Sequence, residues 1–168
     1  KPPSDPRLTA YLERVRLEGK VHTIWRGRGT AVAQMEAALA RNEAVGVLID
    51  QDTRARGVFV DFFGRPAFTP RIVSDLALKT GAAVIAGFIF RKPDGTHRIR
   101  LERLTYEPTG DFESDSRNFT QQMSYAIERA IREAPHAWVW IHQRWKTRPP
   151  EEAGAAASSA PGTVRAAG

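Results

Sequence analysis

Ala44 to Ile49 (AVGVLI) is apolar on both of its alternating faces, which is how a strand reads when helices cover both sides of a parallel sheet. Ala83 to Phe90 (AVIAGFIF) reads as a second buried strand. The longest apolar stretch, Gly81 to Phe90, is about half of the ~20 residues that span a bilayer as a helix. Helical patterns flank these runs. Asp5 before Pro6 and the spacing of Leu8, Leu12 and Val15 predict a helix over 5–18, stopped by Gly19. Thr30 to Arg41 places Val32, Met35, Ala38 and Leu39 on one helical face. Short strands are expected at Val21–Trp25 and Val58–Phe63. Thr69-Pro70 is expected to cap a helix that runs to Lys79 and ends at Gly81. Lys92-Pro93-Asp94-Gly95 is turn chemistry, and His97 to Leu104 (HRIRLERL) alternates, with Ile99, Leu101 and Leu104 or their neighbours facing inward. Ser114 to Glu133 returns to helical spacing, and Pro135 begins a further short helix. The expected class is α/β: a mostly parallel central sheet flanked by helices, with an antiparallel hairpin at one edge. Residues 1–150 read as one domain. Residues 151–168, rich in Ala, Ser, Gly and Pro, lack the large apolar side chains that offset ordering entropy and are expected to be disordered.

The 25 Lys and Arg against 19 Asp and Glu leave a net charge of +6, which favours a polyanionic partner without choosing among acidic protein, phospholipid, phosphorylated sugar and nucleic acid. The chain has no Cys, so disulfides, thiolate nucleophiles and thiolate zinc sites are excluded. It opens at Lys1 directly into a helix-start pattern, and is expected to be the C-terminal part of something longer.

Asp50 and Asp52, with Gln51 between them, sit where the chain leaves the first buried strand, and ligands collect at the carboxyl ends of strands in open α/β sheets. They could bind a metal, orient arginines or a substrate hydroxyl, or pair with Arg54 and Arg56. The free N–H groups of a helix starting at Thr69, with Arg65 and Arg71 close by, would make an anion site. Arg26 and Arg28 form another cationic pair. Ala134 to Pro150 (APHAWVWIHQRWKTRPP) sets Trp138, Ile141 and Trp145 on a helical stripe, with His142, Arg144, Lys146 and Arg148 around it. That combination suits a membrane interface, and equally a set of core anchors. His97 and Glu102 have the spacing of a base and its orienter, but five positions along a strand put them on opposite faces, about 16 Å apart at ~3.3 Å per residue.

Taken in order, VGVLIDQD, GVFVDFFGRPAFTP, VIAGFIFRKPDG and APHAWVWIHQRWKTRP resemble the late acyltransferases of lipid A biosynthesis, the lauroyl and myristoyl transferases of Gram-negative bacteria. The resemblance runs from about residue 5 to 149. His142, Arg144, Trp145, Lys146, Thr147, Arg148 and Pro149 follow the family's His-Arg-Arg-(Trp/Phe)-Lys-Thr-Arg-Pro, with Gln143 departing. It implies a glycerolipid-acyltransferase-like fold, here truncated at the N-terminus. It also implies transfer of a fatty acyl chain from acyl carrier protein to a hydroxyl of an acylated, phosphorylated disaccharide, at the cytoplasmic face of the inner membrane, with neither cofactor nor metal. The family's His-x4-Asp/Glu catalytic pair lies upstream of the matched region, so the chain by itself is expected to be inactive. On this reading Arg26 or Arg28, Asp50, Gln51, Asp52, Arg65, Thr69 and Arg71 bind substrate. Trp138, His142, Arg144, Trp145 and Lys146 meet the membrane or a headgroup. The alternatives are an acyltransferase for another glycolipid, such as a phosphatidylinositol mannoside, and a catalytically inactive lipid-binding domain. A nucleic-acid module would need aromatics interleaved with its cations, which HRIRLERL lacks.

Overall fold

The computed structural model describes residues 2–27 and 29–151, in two compact units, Lys1–Gly46 and Val47–Gly168. Arg28 and the expected tail beyond Glu151 lie outside the described residues.

The first unit holds helices α1 (Pro6–Glu18) and α2 (Ala31–Ala40). Asp5 caps α1 by accepting from the Arg7 backbone N–H at 2.8 Å. The expected strand at Val21–Trp25 is irregular backbone; Trp25 instead leans on α1, its ring beneath Arg16 at 5.6 Å.

In the second unit, β1 (Gly57–Phe62) and β2 (Arg65–Pro70) form an antiparallel hairpin, followed by α3 (Ile72–Thr80). A second antiparallel pair, β3 (Val84–Arg91) and β4 (His97–Leu104), precedes the long helix α4 (Phe112–Glu133) and a 3₁₀ turn at Pro135–Ala137. The two hairpins are the only sheets among the described residues. The expected parallel central sheet is therefore not present there: the sole ladder of β3 is with β4, and Ala44–Ile49, although apolar throughout, is irregular with Leu48 86% exposed.

Helix α4 organises this unit. Asp111 caps it, accepting from the Glu113 N–H, and one face buries Phe119, Met123, Ala126, Ala130 and Ile131. Phe119 and Met123 pack with Ile49 and Ala77, bordered by Val73, Val84, Leu104 and Tyr106. Ile131 meets Phe62 and Ala67, bordered by Trp138 and Trp145. Trimming Phe119 or Phe62 to Ala would cost about 3–5 kcal/mol.

Two corrections concern local elements. Thr69 and Pro70 do not cap α3; they end β2, and Arg71 occupies the N-cap position without a side-chain cap bond. The reason is the turn at Phe63-Gly64, both with positive φ (55° and 72°), the requirement of a two-residue primed hairpin turn. It folds Arg65–Pro70 back onto β1. Gly57 is obligatory opposite Pro70, since a Cβ there would stand 2.5 Å from the Thr69 carbonyl oxygen. On β4, the inward positions are Arg100, Glu102 and Leu104, while Ile99 and Leu101 are 64% and 69% exposed. The inward-facing charges are paired beside α4: Arg98 and Arg100 both bond Glu133, and Glu102 bonds Arg129.

Candidate functional site

Residues 50–53 and 138–147 meet beside the β1–β2 hairpin and build a polar, partly buried cluster in the second unit. Trp138 donates through its indole N–H to Asp50 Oδ2 at 3.2 Å. Asp52 receives two bonds from Thr147: the backbone N–H to Oδ2 at 2.7 Å and the hydroxyl to Oδ1 at 3.0 Å. Arg144, 2% exposed, donates to the Phe68 carbonyl at 2.7 Å and to the Thr69 hydroxyl at 2.5 Å. Its guanidinium also lies 4.9 Å from the centre of the Phe62 ring. Phe62 is the floor of the cluster, with Trp138 and Trp145 each 5.7 Å from it, ring to ring.

A buried guanidinium is costly unless paired. Burial pulls the Arg144 pKa below its usual value, and Asp52 and Asp50 oppose that shift. The aspartates therefore serve the arginine electrostatically, while it braces β2. Five buried polar atoms here have no hydrogen-bond partner within the protein: Asp50 Oδ1, Thr53 Oγ1, His142 Nδ1, Arg144 Nε and Trp145 Nε1. Outside these two loops the same holds only for Arg100 Nε among the described residues. Buried donors and acceptors are normally satisfied, so their concentration in two facing loops sets this cluster apart from the rest of the described residues.

Next to it runs an apolar cleft of about 430 Å³. Val47, Ile49, β3 from Val84 to Phe90, and Met123, Ile127 and Ile131 of α4 line it, and Asp50 is its one charged lining residue among those described. Apolar walls with a few fixed polar groups are the ordinary make-up of a small-molecule site.

The expected site residues divide accordingly. Asp50, Asp52, Trp138, His142, Arg144, Trp145 and Thr69 come together, and Gln51 lies half-buried between the aspartates. Thr69 is buried as Arg144's acceptor, not free at a helix start. Arg71 is 3% exposed and held between Asp75 and Glu113, whose hydrogen bond is the main cause of its raised pKa. It is thus unavailable as an exposed anion receptor. Arg144 likewise reaches no headgroup, being buried. Arg65 and Lys146 are exposed, and Arg65 stacks over Trp145 at 5.4 Å. Arg26 is exposed in the first unit, whereas the whole constellation above belongs to the second. The expected helical stripe of Trp138, Ile141 and Trp145 does not form: the backbone beyond Ala137 is a series of turns, with the two tryptophans half-buried and Ile141 93% exposed. Thr147 and Phe62 escaped the sequence reading as site residues. A threonine four residues before the tail carries no pattern of its own, although its place in the closing Lys-Thr-Arg-Pro run offers a signal.

His97 and Glu102 stand on opposite faces of β4, Glu102 toward α4 and bound to Arg129. Among the described residues no three His, Asp or Glu side chains cluster as a metal site, and no helix is long and apolar enough to cross a membrane.

Residues 2–147 match the model of the bacterial lipid A biosynthesis acyltransferases. The chain is 34% identical over 115 residues to the lipid A biosynthesis palmitoleoyltransferase of Escherichia coli (strain K12), covering 67% of this chain and 36% of that protein. It is 34% identical over 119 residues to the lipid A biosynthesis lauroyltransferase of the same organism, covering 68% and 38%. A lipid A biosynthesis acyltransferase of Shigella flexneri matches at 34% over 115 residues. The chain thus spans little more than a third of the length of these relatives.

Proposed function

The chain belongs to the bacterial lipid A biosynthesis acyltransferase family, and from that premise we propose that it forms the substrate-positioning part of an enzyme that moves a fatty acyl chain from acyl carrier protein to a hydroxyl of a lipid A precursor. The observation that carries this reading is the apolar cleft whose single charged lining residue, Asp50, keeps one carboxylate oxygen without a partner. A long alkyl chain lies against Val84–Phe90, a length of about 20 Å at ~3.3 Å per residue, and the reacting end reaches the polar loops.

In the reaction the acceptor hydroxyl attacks the thioester carbonyl, an ester C–O bond forms, the C–S bond breaks, and the hydroxyl proton ends on the departing thiol. Asp50 Oδ1 is placed to accept a hydrogen bond from a sugar hydroxyl and so to orient it. Asp52 and Thr147 keep the two loops together. Arg65 and Lys146, both exposed, supply charge for the acceptor's phosphates, and Gln51 and His142 complete the polar rim. The general base is expected from the family's His-x4-Asp/Glu pair, which the described strand pairing denies to His97 and Glu102. The setting is the cytoplasmic face of the inner membrane, and the net charge of +6 suits both an acidic carrier protein and an anionic glycolipid.

The test is transfer of labelled acyl groups from acyl carrier protein to a tetraacylated lipid A precursor, comparing this chain with a version extended upstream through a His-x4-Asp/Glu motif. Activity confined to the extended form is expected. Transfer only to a phosphatidylinositol mannoside would replace the acceptor, and inactivity toward both would reject acyl transfer.

A further inference from the structure

We propose that Val139, Trp140 and Ile141 form a wedge that seats this chain on an anionic lipid surface. These successive residues are 52%, 52% and 93% exposed. Three exposed apolar residues in a row are unfavourable in a folded protein unless they have a use.

The loop is held outward rather than loosely collapsed. Backbone bonds run from Trp140 N–H to the Trp138 carbonyl at 3.1 Å, from His142 N–H to that of Val139 at 3.3 Å and from Arg144 N–H to that of His142 at 2.9 Å. The Trp140 indole N–H donates to the Pro135 carbonyl at 2.6 Å, and its ring meets Trp138 edge-on at 4.8 Å. Buried Arg144 roots the far end in β2. A fixed apolar tip with an indole beside it is what an interfacial anchor requires.

Charge chooses the partner. Lys146 follows the tip and is exposed, Arg65 stands over Trp145, and the chain as a whole carries +6 with His neutral. An apolar tip on a loop that bears exposed cations matches acyl chains beneath anionic headgroups. The neighbouring Trp138 holds Asp50, so the wedge sets the candidate site beside the lipid layer in which, on the function proposed above, the acceptor resides. The exposed side of the β3–β4 pair, with Ile85, Ile89, Ile99 and Leu101, is a separate surface and serves as the control.

The experiment is co-sedimentation with vesicles of phosphatidylglycerol mixed with phosphatidylcholine, against phosphatidylcholine alone. The parent chain is expected to bind the anionic vesicles, and W140S/I141S to weaken partitioning about tenfold or more; I141S alone, which touches neither the Pro135 bond nor the Trp138 ring, should weaken it in part with its thermal midpoint unchanged. Brominated acyl chains should quench the parent's tryptophan fluorescence, and W140F should lose much of that quenching while still binding. Equal binding by W140S/I141S, or loss of binding in I99T/L101T instead, would overturn the wedge. So would concentration-dependent dimerisation in lipid-free buffer that W140S/I141S abolishes, since the tip would then cover a second copy. Vesicle binding is read without turnover: a wedge that binds in a chain whose extended form transfers no acyl group would stand while the proposed reaction fell.

Discussion

Both carboxylate oxygens of Asp52 are taken by Thr147, 95 positions later in the chain: Oδ2 accepts from the backbone N–H at 2.7 Å and Oδ1 from the hydroxyl at 3.0 Å. Asp52 is thereby a clamp between two loops, although its place in Asp50-Gln51-Asp52 made it look as available to substrate as its neighbour. Asp52→Ala should lose about 1–3 kcal/mol of stability, the cost of two charge-assisted bonds at a half-buried position. Thr147→Ala should lose less, since the backbone N–H remains. The double variant should fall short of the sum, as expected for one shared interaction. Thermal unfolding of the three variants checks this, and an Asp52→Ala midpoint equal to the parent's would free Asp52 from the clamp.

Asp50 is the complementary case. Trp138 holds one oxygen, and the other has no partner. Asp50→Asn keeps an acceptor for the indole and the volume of the side chain, so its melting midpoint should stay close to the parent's. In the extended enzyme, acyl transfer should drop by about 10²-fold, the scale on which a positioned polar group acts. The comparison of kcat with melting temperature separates orientation of substrate from support of the fold.

Arg144 should behave as a brace. Replacing it by Met leaves the Phe68 carbonyl and the Thr69 hydroxyl without their donor and removes the charge that faces Asp50 and Asp52. A loss of about 3 kcal/mol is expected. Lys restores a charge but not the fork that reaches two acceptors, so Arg144→Lys should recover only part of the loss in denaturant titration. A variant as stable as the parent would show that β2 holds its place without the brace.

How far the sequence reached follows from what each signal encodes. Asp5 with Pro6, Gly81 at φ 71°, and the Lys92–Gly95 turn are local chemistry, and the elements they delimit lie within a residue or two of expectation. Phe63-Gly64 lacks the Asn-Gly or Asp-Gly signature. Its left-handed Phe63 is held by long-range contacts, the N–H on Glu128 at 2.6 Å and the ring under Arg132 at 4.8 Å. Without that turn, Thr69-Pro70 at the end of β2 reads as a helix start. Ala44–Ile49 fails as a parallel strand for a different reason: apolarity predicts burial on two faces, yet a ladder needs a neighbour, and among the described residues β3 has only β4. The site was legible as residue types, Asp50, Asp52, Trp138 and Arg144. Which of them is free and which is occupied depends on partners some 75 to 95 positions away.

Acid should loosen the start of α4 through Asp115. This carboxylate, 2% exposed, accepts from the Thr109 N–H and hydroxyl, the Tyr106 hydroxyl and the Gly110 N–H. The bond from the Thr109 backbone is the chief cause that holds its pKa below the usual value, with burial working against it. In the unfolded chain the group titrates near ~3.9. Because the folded value is the lower one, its contribution to stability is complete above about pH 4, shrinks as the pH falls through the window between the two values, and is absent below the folded one. Glu113, lowered mainly by its bond from Arg71, adds to the same slope. Asp115→Asn should therefore be less stable than the parent at pH 7, with the gap closing on acidification toward pH 3. A gap that stays constant with pH would mean that the Asp115 carboxyl titrates alike in the folded and unfolded chain, against a lowered folded value.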